Sequence, residues 1–325
     1  MKKKIFIFYL FFKFLALSIN PSYGFISLNC NDTISVGLTI QQTCQDDDTL
    51  IITSAGSVIL TGSNAIDADS HSGITIDNKG TISASVNQAI DMQHSVNTTV
   101  TNSGTIEATV RNAILMDGNN ADNNTINNSG TIKAGKKQVI LATNSENTTI
   151  INSGSIQTSD SNNQNTSGIN YYNTSGSAIN GATITNSGTI FAYGHAIRFG
   201  TSGNASKAVN NMTITNTGTI EGGTASIAVN NVNATGTNII TQDEGTYIGE
   251  ISLNNTETTF TLDCSISKDQ DIELSKKTNI TIVNNLCGND TYVILDSNKN
   301  QDSDNSETNG SVSYTHLTLP TKRIV

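Results

Sequence analysis

The sequence predicts an all-β fold, a right-handed, single-stranded parallel β-helix (β-solenoid), and three observations carry the prediction. A pentapeptide of the form Asn-x-Gly-[Thr/Ser]-Ile recurs six times along the 325 residues. Around each copy, polar and apolar residues alternate with a period of two, which is typical of strands. The stretch between Pro21 and Pro320 contains no proline. It therefore lacks the residue that removes a donor from a ladder of hydrogen-bonded strands.

The repeated unit contains three short strand-like pieces. Copies of the pentapeptide are spaced by 24 to 34 residues. Thr-Ile or Thr-Val comes just before each copy, and a second apolar step such as Ala89-Ile90 follows it. No piece is long enough to bury a face alone, so the unit favours one turn of a solenoid in which each strand pairs with its copy in the next turn. Connections between parallel strands are nearly always right-handed.

Each residue of the pentapeptide has an expected role. The Ile points into the core, and the Gly takes a positive φ at a corner without a Cβ clash. The Asn recurs at one height in every turn, where stacked amides can hydrogen-bond along the axis. The predicted corner glycines are Gly80, Gly104, Gly130, Gly154, Gly188 and Gly218. The predicted stacked asparagines are Asn78, Asn102, Asn128, Asn152, Asn186 and Asn216.

The chain opens with a segment that resembles a secretory signal. Three lysines follow Met1, an apolar run comes next, and small residues near Gly24 suit cleavage there. The alternative is an uncleaved N-terminal anchor. We divide the chain into a signal peptide (1–24), N-terminal capping turns (25–60), a β-helix repeat domain (61–300), a polar linker (301–311) and a C-terminal tail (312–325).

The C-terminal tail is expected to be an artefact. Val312 to Thr321 reads VSYTHLTLPT, which matches, residue for residue, the translation of a transposase adapter used in library preparation. The natural chain is then expected to continue differently after about Ser311.

Charge and cysteine content narrow the functional classes. The formal net charge is −10, and the signal segment takes four lysines and no acidic residue with it. No basic patch remains that could grip a nucleic acid, so nucleic-acid binding is disfavoured. The four cysteines fall into two local pairs, and an even number in an exported chain suggests disulfides. The expected bonds are Cys30–Cys44 and Cys264–Cys287, with four free thiols as the alternative.

Repeats of the form T-I-x-N-S-G-T-I behind a signal peptide resemble the passenger regions of Gram-negative autotransporters. The opening CQDDDTLIITSAGSVI is similar to the start of such passengers. The resemblance covers roughly residues 1–300. It implies export, a position at the cell surface or outside the cell, and a C-terminal outer-membrane translocator barrel downstream. Exoproteins of two-partner secretion systems use a similar rod, so the export route stays open.

No catalytic motif, metal motif or cofactor motif is recognisable, and we expect no catalytic residue, metal or cofactor. The expected function is that of a structural or adhesive passenger with an unknown surface or host-cell ligand. The alternative is a polysaccharide lyase or glycosidase, which needs convergent carboxylates. Asp67 and Asp91 follow Ala-Ile in successive units, and Asp69 matches Asp117. They could form an acidic patch or a weak calcium site.

Two tyrosines are the candidates for binding, and three histidines are assigned no functional role. Tyr171 and Tyr172 are expected on an inserted polar loop at 158–177, either exposed as contact residues or lying back against the rod. His71 and His94 look isolated. His195, close to Arg198, is interpreted as part of a solvated turn.

Overall fold

The structure is a computed structural model. It describes residues 30–118, 121–174, 179–201, 209–230, 235–242, 245–253, 257–263, 271–274, 280–285 and 294–296. Every regular element in these ranges is a β-strand, and every strand pairing is parallel, so the chain is an all-β parallel β-helix, as predicted. None of the described residues belongs to a helix that could cross a membrane. The signal peptide, the linker and the C-terminal tail lie outside the described residues.

The first face of the helix is a sheet of eleven described strands, each paired with its copy one turn away. Its repeated part keeps one register, so that Thr75, Thr99 and Thr125 lie side by side. The strands of face 1 are β1 (Thr33–Ile34), β4 (Thr49–Ile52), β7 (Thr75–Asn78), β10 (Thr99–Asn102), β13 (Thr125–Asn128), β16 (Thr149–Asn152), β20 (Thr183–Asn186), β24 (Met212–Asn216), β26 (Thr235–Gln242), β28 (Glu257–Asp263) and β30 (Ile280–Asn285).

In the regular turns, the second face begins directly after the glycine of the pentapeptide. Its strands are β2 (Gly37–Leu38), β5 (Ser57–Leu60), β8 (Thr81–Ala84), β11 (Thr105–Ala108), β14 (Thr131–Ala134), β17 (Ser155–Thr158) and β21 (Thr189–Ala192). The long strands β25 (Thr219–Asn230) and β27 (Thr246–Leu253) then run through both the second and the third face.

The third face follows the Ala-Ile step. Its strands are β3 (Gln42–Thr43), β6 (Ile66–Asp67), β9 (Ile90–Asp91), β12 (Ile114–Met116), β15 (Ile140–Thr143), β18 (Ser167–Asn173), β22 (His195–Thr201), β29 (Asp271–Leu274) and β31 (Ile294–Asp296). A small separate pair joins β19 (Ile179–Asn180) to β23 (Val209–Asn210).

The core is a stack of apolar columns inside the three faces. The isoleucines that follow the glycines are fully buried, and Ile82, Ile106 and Ile132 are register neighbours. The residues beside them in each strand face outward, as the alternation predicts. The burial of each isoleucine side chain stabilises the folded chain by roughly 1.5–3 kcal/mol. A turn alone therefore cannot offset its ordering entropy, and stability comes from stacking.

A disulfide joins Cys30 to Cys44 at the start of the described stack. Both residues are fully buried, and the Cys30 amide donates to the Thr43 carbonyl. A closed loop of this size contributes roughly 3 kcal/mol in the chain-entropy model. Cys264 and Cys287 lie outside the described residues.

The glycines of the pentapeptide do not have the positive φ that we expected from the sequence. Positive φ occurs instead two residues before the first Thr of the seven face 1 strands from β4 to β24, one turn after another. The residues that form this column are Asp47, Gly73, Asn97, Asn123, Asn147, Gly181 and Asn211. Asp, Asn and Gly tolerate this left-handed conformation best. The left-handed corner therefore lies between the third face and the first.

The pentapeptide glycines are needed for a different reason, the close approach of successive turns. A Cβ at Gly104 would clash with the backbone of Gly80 and Lys79, and one at Gly130 with the carbonyl of Gly104. The same carbonyls accept ladder hydrogen bonds, as from the Thr131 amide to the Gly104 oxygen at 2.9 Å. The glycine column thus lets adjacent turns hydrogen-bond at a bend where no side chain fits.

Replacing Gly104 with Ala should destabilise the fold by about 1–3 kcal/mol, because the added methyl group must displace backbone on the preceding turn. Gly62 is the matched control, since a Cβ there would meet nothing within 4 Å. Gly62→Ala should be neutral or stabilising by about 0.4–1 kcal/mol. Urea denaturation midpoints measure both. Equal midpoints for the two variants would contradict the close-packing explanation.

Candidate functional site

The six predicted asparagines form an internal ladder of side-chain amides. Each is buried, with at most 2% of its surface exposed. The Nδ2 of Asn78 donates to the Oδ1 of Asn102 at 2.7 Å, and the same bond repeats up to Asn186, whose Nδ2 donates to the Oδ1 of Asn216 at 2.8 Å. The Nδ2 groups also lie within hydrogen-bond distance of nearby carbonyls, such as Gly104 for Asn102. All these amides are engaged internally, so the ladder is structural and offers nothing to a ligand.

The ladder has two defined ends. On the N-terminal side the register partner of Asn78 is Ile52, which carries no amide. On the C-terminal side Asn216 donates to the carbonyl of Thr246. The polar interior is therefore confined to the regular turns, and each end closes on an apolar side chain or a backbone acceptor.

The prediction of an exposed tyrosine pair on a loop is wrong for Tyr171. It belongs to strand β18, is fully buried, and stacks on Phe199 with ring centroids 5.7 Å apart. Its hydroxyl accepts a hydrogen bond from Thr148, and burial raises its pKa. Tyr172 faces outward and is half-buried. The period of two separates the neighbours, so only one tyrosine of the pair can face solvent.

Asp67 and Asp91 are register partners on the outer side of the third face, as the repeat predicts. Each carboxylate accepts from an amide of the preceding turn: Asp67 from Gln41 at 3.1 Å and Asp91 from Asn64 at 2.8 Å. Leu115 continues the same column, so the carboxylate pair ends there. Both carboxylates are thus held in a repeated surface network.

The environment of Asp91 shifts its protonation. Burial raises the pKa of the Asp91 carboxyl to about 6. The hydrogen bond from the Gln93 amide acts in the opposite direction, and the negative charge of Asp67 raises the pKa by a smaller amount. Among the described residues, no group of three or more acidic, histidine or cysteine side chains is arranged to hold a metal ion.

The histidines are not isolated. The Nδ1 of His71 lies 3.3 Å from Asp46, and that of His94 lies 3.1 Å from Asp69, in each case a carboxylate of the preceding turn. The amide of Ser72 and then His71 lower the pKa of Asp46. These exposed contacts support the corner after the third face and carry little net energy.

A second polar group lies on the neighbouring strands β18 and β22 of the third face. Ser167 and His195 are register partners, and so are Asn170 and Arg198. His195 is in a strand and half-buried, so its interpretation as a solvated turn is wrong. Burial, and then the charge of Arg198, lower the pKa of His195 to about 4, so its ring is neutral near pH 7. The spacing of residues in the sequence does not indicate this group, because Ser167 and Asn170 belong to one turn and His195 and Arg198 belong to the next.

An outward aromatic pair precedes this group in the chain. Phe191 and Tyr193 are half-buried, and their rings meet edge to face with centroids 4.9 Å apart. Neither residue was predicted from the sequence to take part in binding. The available signal was the outward position of Phe191, which shares a register column with Gln157 and Glu221.

No protein-family profile, no curated protein and no solved structure matches this chain.

Proposed function

We propose that this chain is a non-catalytic adhesive rod, the passenger of an exported protein displayed at the cell surface or released outside the cell. The supporting observation is the unbroken parallel stack, in which one register and one asparagine ladder run from Asn78 to Asn216. A stack of this kind lengthens by roughly 4.8 Å per turn without needing a new core. Its outer faces remain available for contact.

The division of side chains supports the same proposal. On the first and second faces, isoleucines and amides that repeat from turn to turn lie inside the coil, whereas several of the outward positions vary. In one outward column, Glu107 contacts Lys133 at 3.1 Å, while Ser83 and Gln157 occupy the positions on either side. The interior of these two faces therefore defines a uniform scaffold, and the variable exterior binds the partner, a surface or host-cell ligand. Export and surface display rest on the resemblance of the repeats to autotransporter passengers.

Adhesion of beads coated with the purified chain to cultured cell monolayers tests the proposal. A whole-turn deletion, removing residues 79–102, joins Asn78 to Ser103 and preserves the register, because those 24 residues are one repeat. Beads with the wild-type chain and with this variant should adhere. A half-turn deletion, removing 79–90, breaks the register and should abolish both folding and adhesion.

Two results would contradict the proposal. Adhesion of wild-type beads no greater than that of the half-turn variant would exclude an adhesive role. Turnover of a polysaccharide by the purified chain, abolished by Asp91→Asn, would exclude a non-catalytic one, because Asp91 has the acid pKa that glycoside hydrolysis uses.

A further inference from the structure

Four polar atoms on β18 and β22 are buried without a hydrogen-bond partner. They are the Oγ of Ser167, the Oδ1 of Asn170, the Nδ1 of His195 and the Nε of Arg198. Ser167 is fully buried, and Asn170 is 4% exposed. An unpaired buried polar atom destabilises the folded state, and most such atoms in native proteins are paired. Four together in two register-paired rows indicate a place where a ligand supplies the missing partners.

The contrast with the preceding turns makes this group specific. On the same face, Gln41 donates to Asp67 and Asn64 donates to Asp91, so those turns satisfy their outward polar groups internally. On the turn after the group, the register partners of His195 and Arg198 are Ala225 and Ala228. Small side chains therefore replace large ones on that turn.

The guanidinium indicates the charge of the ligand. Among the described residues, Arg198 has no ion-pair partner, although the chain is acidic overall. The planar guanidinium fork matches a carboxylate better than any other common anion except phosphate. Inside a partly buried site such a charged hydrogen bond is among the strongest available.

The other atoms indicate a ligand that also carries hydroxyl groups. The Oδ1 of Asn170 can only accept, the Oγ of Ser167 can donate or accept, and the neutral ring of His195 can do either through Nδ1, depending on its tautomer. Sugar hydroxyls both donate and accept. Phe191 and Tyr193, two to four residues before His195, add half-buried flat apolar surface of the kind against which a pyranose ring packs.

We propose that Ser167, Asn170, His195 and Arg198 form a binding site for a hexuronate residue of an acidic polysaccharide. The inference rests on the proposed adhesive function and names the ligand class for it. Arg198 binds the carboxylate, Asn170 accepts from a hydroxyl group, and Ser167 and His195 complete the ring of contacts. No bond is made or broken, so the site is one of recognition only.

Calorimetric titration of the purified full chain with an oligogalacturonate tests the site. A neutral oligogalactoside of equal length and an oligoglutamate serve as comparison ligands. Arg198→Gln should weaken oligogalacturonate binding by about tenfold or more, because a charged hydrogen bond is lost. Arg111→Gln is the matched control, since Arg111 is exposed at a turn of another coil, and it should bind like the wild type.

A second variant guards against a folding defect in the first. Asn170→Asp places a carboxylate beside Arg198, keeps the guanidinium paired and should fold, yet should block the acidic sugar. Wild-type affinity in both Arg198→Gln and Asn170→Asp would overturn the site. Equal binding of the neutral sugar or of the oligoglutamate would overturn the hexuronate assignment. If the beads adhered but the chain did not bind oligogalacturonate, only the proposed site would be contradicted. If the chain bound oligogalacturonate but the beads did not adhere, only the adhesive function would be contradicted.

Discussion

Ile106→Asp should abolish the cooperative unfolding transition of this chain. Ile106 is fully buried between Ile82 and Ile132, its register neighbours in the adjacent turns. A carboxylate there faces apolar side chains and has no partner, and burying an unpaired charge is among the most costly single changes. We expect a loss of more than roughly 4 kcal/mol, a substantial part of the stability of an ordinary domain. Thermal melting followed by circular dichroism measures it.

The next residue along the same strand provides the control. Glu107 faces outward, is half-buried and contacts Lys133 across the strand pair. Glu107→Gln removes only this surface ion pair, worth roughly 0–1 kcal/mol, and should shift the melting temperature slightly. If Ile106→Asp melted as cooperatively as Glu107→Gln and within a few degrees of it, residue 106 could not lie in the core.

Asn128→Asp should destabilise the chain by roughly 3–5 kcal/mol at neutral pH. The Nδ2 of Asn128 donates to the Oδ1 of Asn152 at 2.7 Å and lies 3.2 Å from the carbonyls of Gly130 and Ser155. An Asp carboxylate has no N–H group to donate, so each of these contacts becomes an approach of two acceptors. The asparagine column contains no cation that could offset the buried negative charge. The expected result is a lower urea midpoint at pH 7.

The defect should shrink at acid pH, since a protonated Asp regains one donor. The folded state of the variant then binds a proton more tightly than the unfolded chain, so stability is lost as pH rises through the folded pKa. Asn127→Asp is the control on the same strand, because Asn127 faces outward and is half-buried. A midpoint for Asn128→Asp equal to that of Asn127→Asp would show that the amide ladder contributes little.

Much of the fold could be predicted from the sequence, because equivalent residues of successive repeats indicate how the strands pair. The Ile and Asn of each pentapeptide recur in one place in every turn, and the structure stacks them as Ile106 on Ile132 and Asn102 on Asn128. The pentapeptide glycines lie at a bend, as predicted, but the predicted reason for them, a positive φ, is wrong. A positive φ and a close backbone approach both demand glycine, and the residue type alone does not distinguish them.

The sequence also contains a signal for the left-handed corner, although the corner was not predicted from it. Positions such as Gly73, Asn97 and Asn123, each two residues before a Thr-Ile or Thr-Val step, carry only Gly, Asn or Asp. That restriction is the signal of a left-handed residue. In an asparagine-rich chain it was hidden by composition, because Asn occurs at many positions for which the conformation is ordinary.

The sequence by itself determined the parallel stack, its interior columns and the turns that share them, because a period of two and a recurring unit leave few other ways to bury the isoleucines. Only the tertiary structure decided which outward side chains become neighbours across turns of unequal length. Ser167 and His195 are 28 residues apart, across turns of unequal length, and they meet because strand pairing ignores the loops between strands. The tertiary structure likewise placed Tyr171 in the core and left the Nε of Arg198 buried without a hydrogen-bond partner, since the side that a residue faces depends on strand phase after an insertion.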